Sequence, residues 1–251
     1  MFKNKKILLN PVGGLYLNPE VRQWVYQKPI LNGIYIDSLT VDIAIPLADL
    51  LKTIGFKVYS TRLLNKVYKG YNNKWVNSMG ESHQPRYREC AIQYLKSIVT
   101  YNKEKEKNYI PEKMLLEGNT ILEQDSNARL NYAKFIEADM MITIDVTTFV
   151  TDNGLEAVCN KAVGSEPVAS TIIDEISKRT RTPIKGVSYA EELEDIKHNK
   201  LVDIPSIILR CGSTADVRTA GLLTQGWYRQ WVSLGIFAGV WKHFSKELVT
   251  A

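Results

Sequence analysis

Cysteine and histidine are scarce, with three of each in 251 residues. Cys90, Cys159 and Cys211 stand far apart, with no CxxC pair and no His/Cys cluster. That excludes a disulfide framework and a structural zinc site of the usual spacing. Cys159 and Cys211 fall in strand-like runs and read as small core residues rather than nucleophiles. No run of 18 apolar residues occurs, so no membrane-spanning helix is expected. The start, MFKNKKILLN, has lysines but only a three-residue apolar stretch after them. This is too short for a signal-peptide core, so the expectation is no signal peptide and a place in the host cytoplasm during synthesis, with the virion as an alternative final location. Internal repeats and low-complexity tracts are also missing.

What is present is an ordinary globular composition, 45% hydrophobic and 24% charged, with a net charge of +5. The charge permits an anionic partner such as cell wall, without requiring nucleic acid, and no membrane partner is expected. Strand-like and helical stretches alternate. KKILLNP (5–11) and KVYSTR (57–62) read as strands, as do MMITID (140–145), LEAVCN (155–160) and IPSIILRCG (204–212). Residues 37–56 carry Leu39, Ile43, Leu47, Leu50 and Leu51 at helical spacing, with Asp37 or Ser38 as N-cap and Pro46 as a kink or break. Further helices are expected at 86–101, at 126–139 capped by Ser126 or Asn127, at 166–180 and at 227–244. In the last, Trp227, Trp231, Leu234, Ala238 and Trp241 recur at steps of three and four and read as core. Residues 15–37 look irregular, and 63–125 is polar and reads as an insertion within one domain of 1–251. The fold class is therefore α/β, a largely parallel central sheet flanked by helices.

Met140-Met141-Ile142-Thr143-Ile144 is a buried-strand pattern that ends on Asp145. Ligand sites of α/β sheets collect at the carboxyl ends of strands, so this carboxylate is a candidate site residue. The glycines of VGG (12–14) lack the longer pattern and the lysine of a phosphate loop, and read as a tight turn.

Five stretches, in order, resemble the zinc-dependent N-acetylmuramoyl-L-alanine amidases of bacterial cell walls and phage endolysins. They are ILLNPVGG, DIAIPLADLLKTIGFKVYSTR, RLNYAKFIEADMMITIDVTT, GLEAV and IPSIILRCGSTAD. The resemblance implies an amidase-like sheet over everything except the insertion. It also implies one zinc held by two histidines and a glutamate, with a second glutamate as general base. Carried over residue by residue, those positions fall on Val12, Ile36, Asp145 and Arg210, with Asp37 one step from Ile36. None keeps the ligand or base of the family. An arginine stays protonated near neutral pH and cannot serve as a general base. His83, His198 and His243 lie away from the motifs and read as surface or structural residues.

The resemblance thus implies a degenerate amidase with no zinc, no other cofactor and no catalytic residues. We expect Asp145 and Arg210 to form a bidentate ion pair in the former metal cavity, with Glu156 as a residual polar contact of the groove. Arg129 and Asp139 are expected to hold their helix against the sheet. The functional expectation is a pseudo-amidase acting as a structural or binding module, such as a phage tail or baseplate component, contacting neighbouring subunits through 15–37 and 63–125. Two alternatives stand beside it: an active endolysin-type amidase with an unconventional metal site, and a peptidoglycan-binding pseudoenzyme.

Overall fold

The computed structural model describes residues 2–18, 20–64, 88–104, 111–149, 154–160, 164–190 and 204–250. Much of the expected insertion, 65–87 and 105–110, lies outside the described residues, as do His83 and His198.

β1 (Lys6–Pro11) is the apolar run KILLNP, and Ile7, Leu8 and Leu9 are all fully buried. A strand covered on both faces needs such an unbroken run, and each of these side chains contributes about 2 kcal/mol of burial. β1 pairs in parallel with β4 (Lys57–Ser60) on one side and with β5 (Met140–Thr147) on the other. β8 (Ser206–Ser213) follows β5 in parallel, and β6 (Leu155–Cys159) runs antiparallel to β8. β7 (Ile184–Tyr189) closes the sheet beside β6, giving the order β4-β1-β5-β8-β6-β7. The expected strands are all present. β7 was not anticipated: IKGVSY carries Lys185 and Gly186, and much of it is exposed at an edge.

Alternation along the strands sorts side chains to two faces. Ile7, Leu9, Ile142, Ile144 and Leu209 pack against α1 (Ile36–Thr53), α5 (Glu166–Thr180) and α7 (Gly226–Thr250). Leu8 and Met141 face the other way. They pack with Cys90 and residues of α2 (Ala91–Glu104), α3 (Glu112–Leu115) and α4 (Ile121–Phe135). The result is a helix–sheet–helix sandwich. Among the described residues no helix is long and apolar enough to cross a membrane.

Several local expectations are corrected. α1 starts at Ile36 behind Tyr35, which makes no side-chain cap; Asp37 sits inside the first turn, and Pro46 is carried within a helix that runs on to Thr53. α4 starts five residues before the expected Ser126. Thr120 accepts from the Glu123 backbone while the Glu123 side chain returns to the Thr120 backbone, a reciprocal cap that fixes this helix start. The irregular segment 15–37 contains a two-stranded antiparallel hairpin, β2 (Leu15–Asn18) with β3 (Gln23–Tyr26). Gly14 makes its entry possible, because a Cβ there would lie 2.5 Å from Cys90 Cα and its φ is +132°.

The last correction concerns α7, whose Trp227, Trp231, Leu234 and Trp241 are exposed rather than core. The buried row is Tyr228, Val232, Ile236 and Val240, at steps of four. Gly235 and Gly239 decide the rotation of the helix, since a Cβ at either would press on the backbone of Ile176 or Ile172 in α5.

Candidate functional site

On the α4 side of the sheet, β5 changes character toward its carboxyl end, from Met141 to Thr143 to Asp145. The neighbouring strands do the same, with Leu8 giving way to Asn10 and Ile208 to Arg210. A cavity of about 170 Å³ opens at this polar end, lined by residues that include Asn10, Lys28, Asp125, Arg129, Thr143 and Asp145.

Arg129 organises its floor. Its Nε donates to Asp125 Oδ2 at 2.8 Å, and its Nη1 donates to Asn10 Oδ1 at 2.6 Å and to the Pro11 carbonyl at 3.0 Å. Nη2 reaches the Gly13 carbonyl at 3.3 Å. Asn10 passes the network on, donating to Thr143 Oγ1 and accepting from Thr61 Oγ1. Burial alone would raise the Asp125 carboxyl, but the Arg129 charge and hydrogen bonds from Gln27, the Ile92 backbone and Arg129 outweigh it, so its pKa falls. Arg129 therefore does more than hold α4 to the sheet. It also pins the glycine loop and lines the cavity. Asp139 does play the expected anchoring part, accepting from the Lys6 backbone at 2.7 Å and facing the Lys5 ammonium at 3.3 Å.

A second buried guanidinium, Arg62, holds the same loop from the other side. It donates to the carbonyls of Val12 and Asp37 at 3.0 Å each and to that of Glu89 at 2.9 Å. Complete burial and the nearby Arg129 charge lower its pKa to about 10, so it stays charged at neutral pH. Three successive carbonyls, Pro11 to Gly13, thus face guanidinium groups. The tight-turn reading of VGG stands, with Gly13 and Gly14 both at positive φ.

Asp145 sits above this floor. Its Oδ1 accepts the Lys28 ammonium at 2.5 Å, and Lys28 also points to the Val146 carbonyl at 3.4 Å. Lys28 follows the hairpin, which is fastened by Gln27 N–H to the Gly14 carbonyl. Asp145 and Arg210 are register partners on adjacent strands, as are Arg210 and Glu156. The three lie in one row across the sheet. The expected Asp145–Arg210 pair is nevertheless replaced by two others: Lys28 takes Asp145, and Arg210 Nη1 donates to Glu156 Oε2 at 2.9 Å. Glu156 is buried and also accepts from Ser188 Oγ at 2.9 Å; it is not among the residues lining the cavity.

The remaining expected positions diverge. Val12 lines the cavity, whereas Ile36 is buried in the core on the opposite face of the sheet. Asp37 is buried and accepts from Arg88 Nε at 3.2 Å. Arg88 itself stacks on Tyr26 and Tyr35 and hydrogen-bonds the Tyr26 hydroxyl. His243 lies on α7 with its ring edge-on to Phe244, far along the sequence from the cavity residues.

Zinc requires about three His, Cys or carboxylate ligands and an open position. Among the described residues no group of three or more His, Cys, Asp or Glu could hold a metal ion. Asp37 and Asp145 each carry a cationic side chain already. The donor set among the described residues does not fit zinc.

The whole arrangement can be compared with known structures. The amidase AmiC2 of Nostoc punctiforme superposes with a TM-score of 0.59 at 13% identity, over 98% of this chain and 99% of that one. CwlD of Clostridioides difficile, solved in complex with the GerS lipoprotein, gives 0.52 at 19% identity over 96% and 99%. Ami1 of Mycobacterium smegmatis gives 0.56 at 14% identity over 95% and 96%. The fold is that of the N-acetylmuramoyl-L-alanine amidases. No protein-family model and no curated protein matches the sequence.

Within this amidase fold, sequence reasoning missed Lys28 and Asn10 as cavity residues, and Arg62 and Arg88 as the residues that hold the glycine loop and Asp37. Arg62 ends the quoted KVYSTR motif, and its position after a strand was a usable signal. Lys28 had none, because its partner is 117 residues away.

Proposed function

We propose that this chain is a non-hydrolytic member of the amidase fold, a binding or structural module whose former catalytic cleft has its carboxylates taken up by side-chain ion pairs. The observation that carries the reading is the Lys28 ammonium on Asp145. The resemblance places a zinc-ligating histidine at this position, and here a fixed cation takes the place a dication would need. Lys28 and Arg129 line the cavity, and each already holds one of its carboxylates, Asp145 and Asp125, so that neither anion is left for a metal. Activating water requires a bound metal or a general base, and the base position is an arginine. A protein-binding role is in keeping with the complex that one solved neighbour, CwlD, makes with a lipoprotein, whereas a place in a phage tail or baseplate rests on the sequence resemblance alone.

The test uses the purified full chain. Metal content is measured after equilibration with zinc, followed by release of peptide from peptidoglycan and by co-sedimentation with sacculi. The expected result is no stoichiometric zinc and no release. One zinc per chain, with release abolished by a chelator, overturns the proposal in favour of an active amidase. Co-sedimentation without release assigns the module to peptidoglycan, and its absence removes that assignment.

A further inference from the structure

α7 lies against α5 and α1 and turns one face to solvent. On that face Trp227, Trp231, Leu234 and Trp241 are 47%, 45%, 39% and 44% exposed, with Ala238 half-buried between them. Monomeric proteins seldom expose contiguous apolar area of this kind. The spacing is 4-3-4-3, the seam of a helix that packs on another helix. No charged residue stands at any of the five positions, so covering them desolvates no ion.

The pattern is also self-complementary. Measured from Leu234, the stripe falls at −7, −3, 0, +4 and +7. Two copies of α7 laid antiparallel about a two-fold axis at Leu234 bring Trp227 of each against Trp241 of the other. The bulky Trp231 of one then meets the small Ala238 of the other. Large-against-small pairing lets two helices approach to the usual 8–10 Å, roughly. A two-fold interface uses one patch twice, and this patch matches its own reversal to within one residue, about 1.5 Å along the helix.

We infer that the stripe Trp227–Trp231–Leu234–Ala238–Trp241 is a homodimer interface in which α7 packs antiparallel on α7 of a second copy. The area is sufficient for a modest dimer. Three tryptophans near half exposure offer roughly 100 Å² each. With Leu234 and Ala238 the two copies together bury about 800 Å², the range of weak, reversible pairs rather than of tight complexes. A lipid surface fits less well. Lys242, the cation next to Trp241, is tied to Glu175 at 2.8 Å. A basic cluster beside this face, Lys178, Arg179 and Lys242, is gathered on the Glu175 carboxylate, which lowers its pull on an anionic membrane.

The experiment is sedimentation of the full chain from about 1 to 200 μM, a range that brackets weak dimers, with site-specific cross-linking. The native cysteines are buried, and burial raises the Cys90 thiol and pushes Cys211 up to about 12, so an introduced surface thiol is the reactive one. Wild type is expected to dimerise within that range. Trp231→Glu should weaken association at least ~tenfold while leaving the melting temperature within a few degrees, since the side chain is exposed. Leu234→Cys should be captured as a dimer by a short bismaleimide, because the axis passes through it. Lys113→Cys, exposed on the other side of the sheet, should not. A chain that stays monomeric at 200 μM overturns the inference. Equal cross-linking of both cysteine variants does so too, as does loss of association only when anionic vesicles are added.

Discussion

Lys28 Nζ meets Asp145 Oδ1 at 2.5 Å, joining the segment after the hairpin to the carboxyl end of a central strand. The pair is largely shielded from solvent, with Asp145 the more buried partner. Removing one side of such a pair leaves a charge without compensation, whereas removing both is far milder. Lys28→Met should therefore lower stability by about 2 kcal/mol, while the double replacement Lys28→Met with Asp145→Leu should recover most of it. Urea denaturation of the four proteins in the cycle measures this. A double mutant no better than the single would show that Asp145 does not depend on Lys28.

Arg129 fixes the glycine loop through four acceptors at once. Arg129→Met strands Asp125 as a buried anion and should cost about 3–5 kcal/mol. Arg129→Lys should rescue little, because an ammonium cannot reproduce the forked geometry. Thermal unfolding of both variants decides the point.

Glu175 binds three cations: Lys178, Arg179 and Lys242. Hydrogen bonds from Lys242 and Arg179 lead in lowering its pKa from 4.5 to about 2. The native state holds fewer protons on this group than the unfolded chain between those values. Stability from it is complete above pH 4.5 and is lost as pH falls toward 2. Two of the three cations are well exposed, so solvent screening reduces the effect to roughly 2 kcal/mol. Glu175→Gln should flatten the acid limb of the stability curve over that window and leave the neutral region lower.

Glycine substitutions in two helices should split cleanly. A Cβ at Gly235 would lie 2.6 Å from Ile176 Cα, and one at Gly239 would lie 2.5 Å from Ile172 Cγ1. Either alanine variant forces α7 away from α5 and should cost about 1–3 kcal/mol. Gly221 in α6 (Val217–Thr224) has nothing within 4 Å, so Gly221→Ala should be neutral or stabilise by a few tenths to ~1 kcal/mol. Calorimetry of the three variants tests the contrast.

Loss of the α4 cap is a smaller effect. Thr120→Ala removes an acceptor for the Glu123 backbone and should cost about 1 kcal/mol. Thr120→Ser should restore most of it.

How much of this was legible in the sequence depended on the range of the interaction. The helix expected at 166–180 is found as Glu166–Thr180, because its period, its proline near the start and its basic last turn are all local. Asp145 was recognisable as a site residue from the strand before it. Its partner was not, since a contact across 117 residues leaves no mark on either neighbourhood. Arg210 was paired with the wrong neighbour: it has register partners on both sides, and periodicity does not choose between Asp145 and Glu156. In α7 two apolar rows compete, one with three tryptophans and one with Tyr228, Val232, Ile236 and Val240. Hydrophobicity favours the first, but close approach at Gly235 and Gly239 selects the second. Small residues on one side of a helix were the overlooked signal.

The sheet order also dictates how the molecule can be assembled on a ribosome. β8 lies between β5 and β6, yet it is the last strand to be made. Until residue 213 has emerged, β5 has an open hydrogen-bonding edge on that side, with Ile142, Ile144 and Val146 awaiting cover. A nascent chain in that state resembles an aggregation template, so its solubility during synthesis rests on a chaperone or on rapid delivery of the final strand.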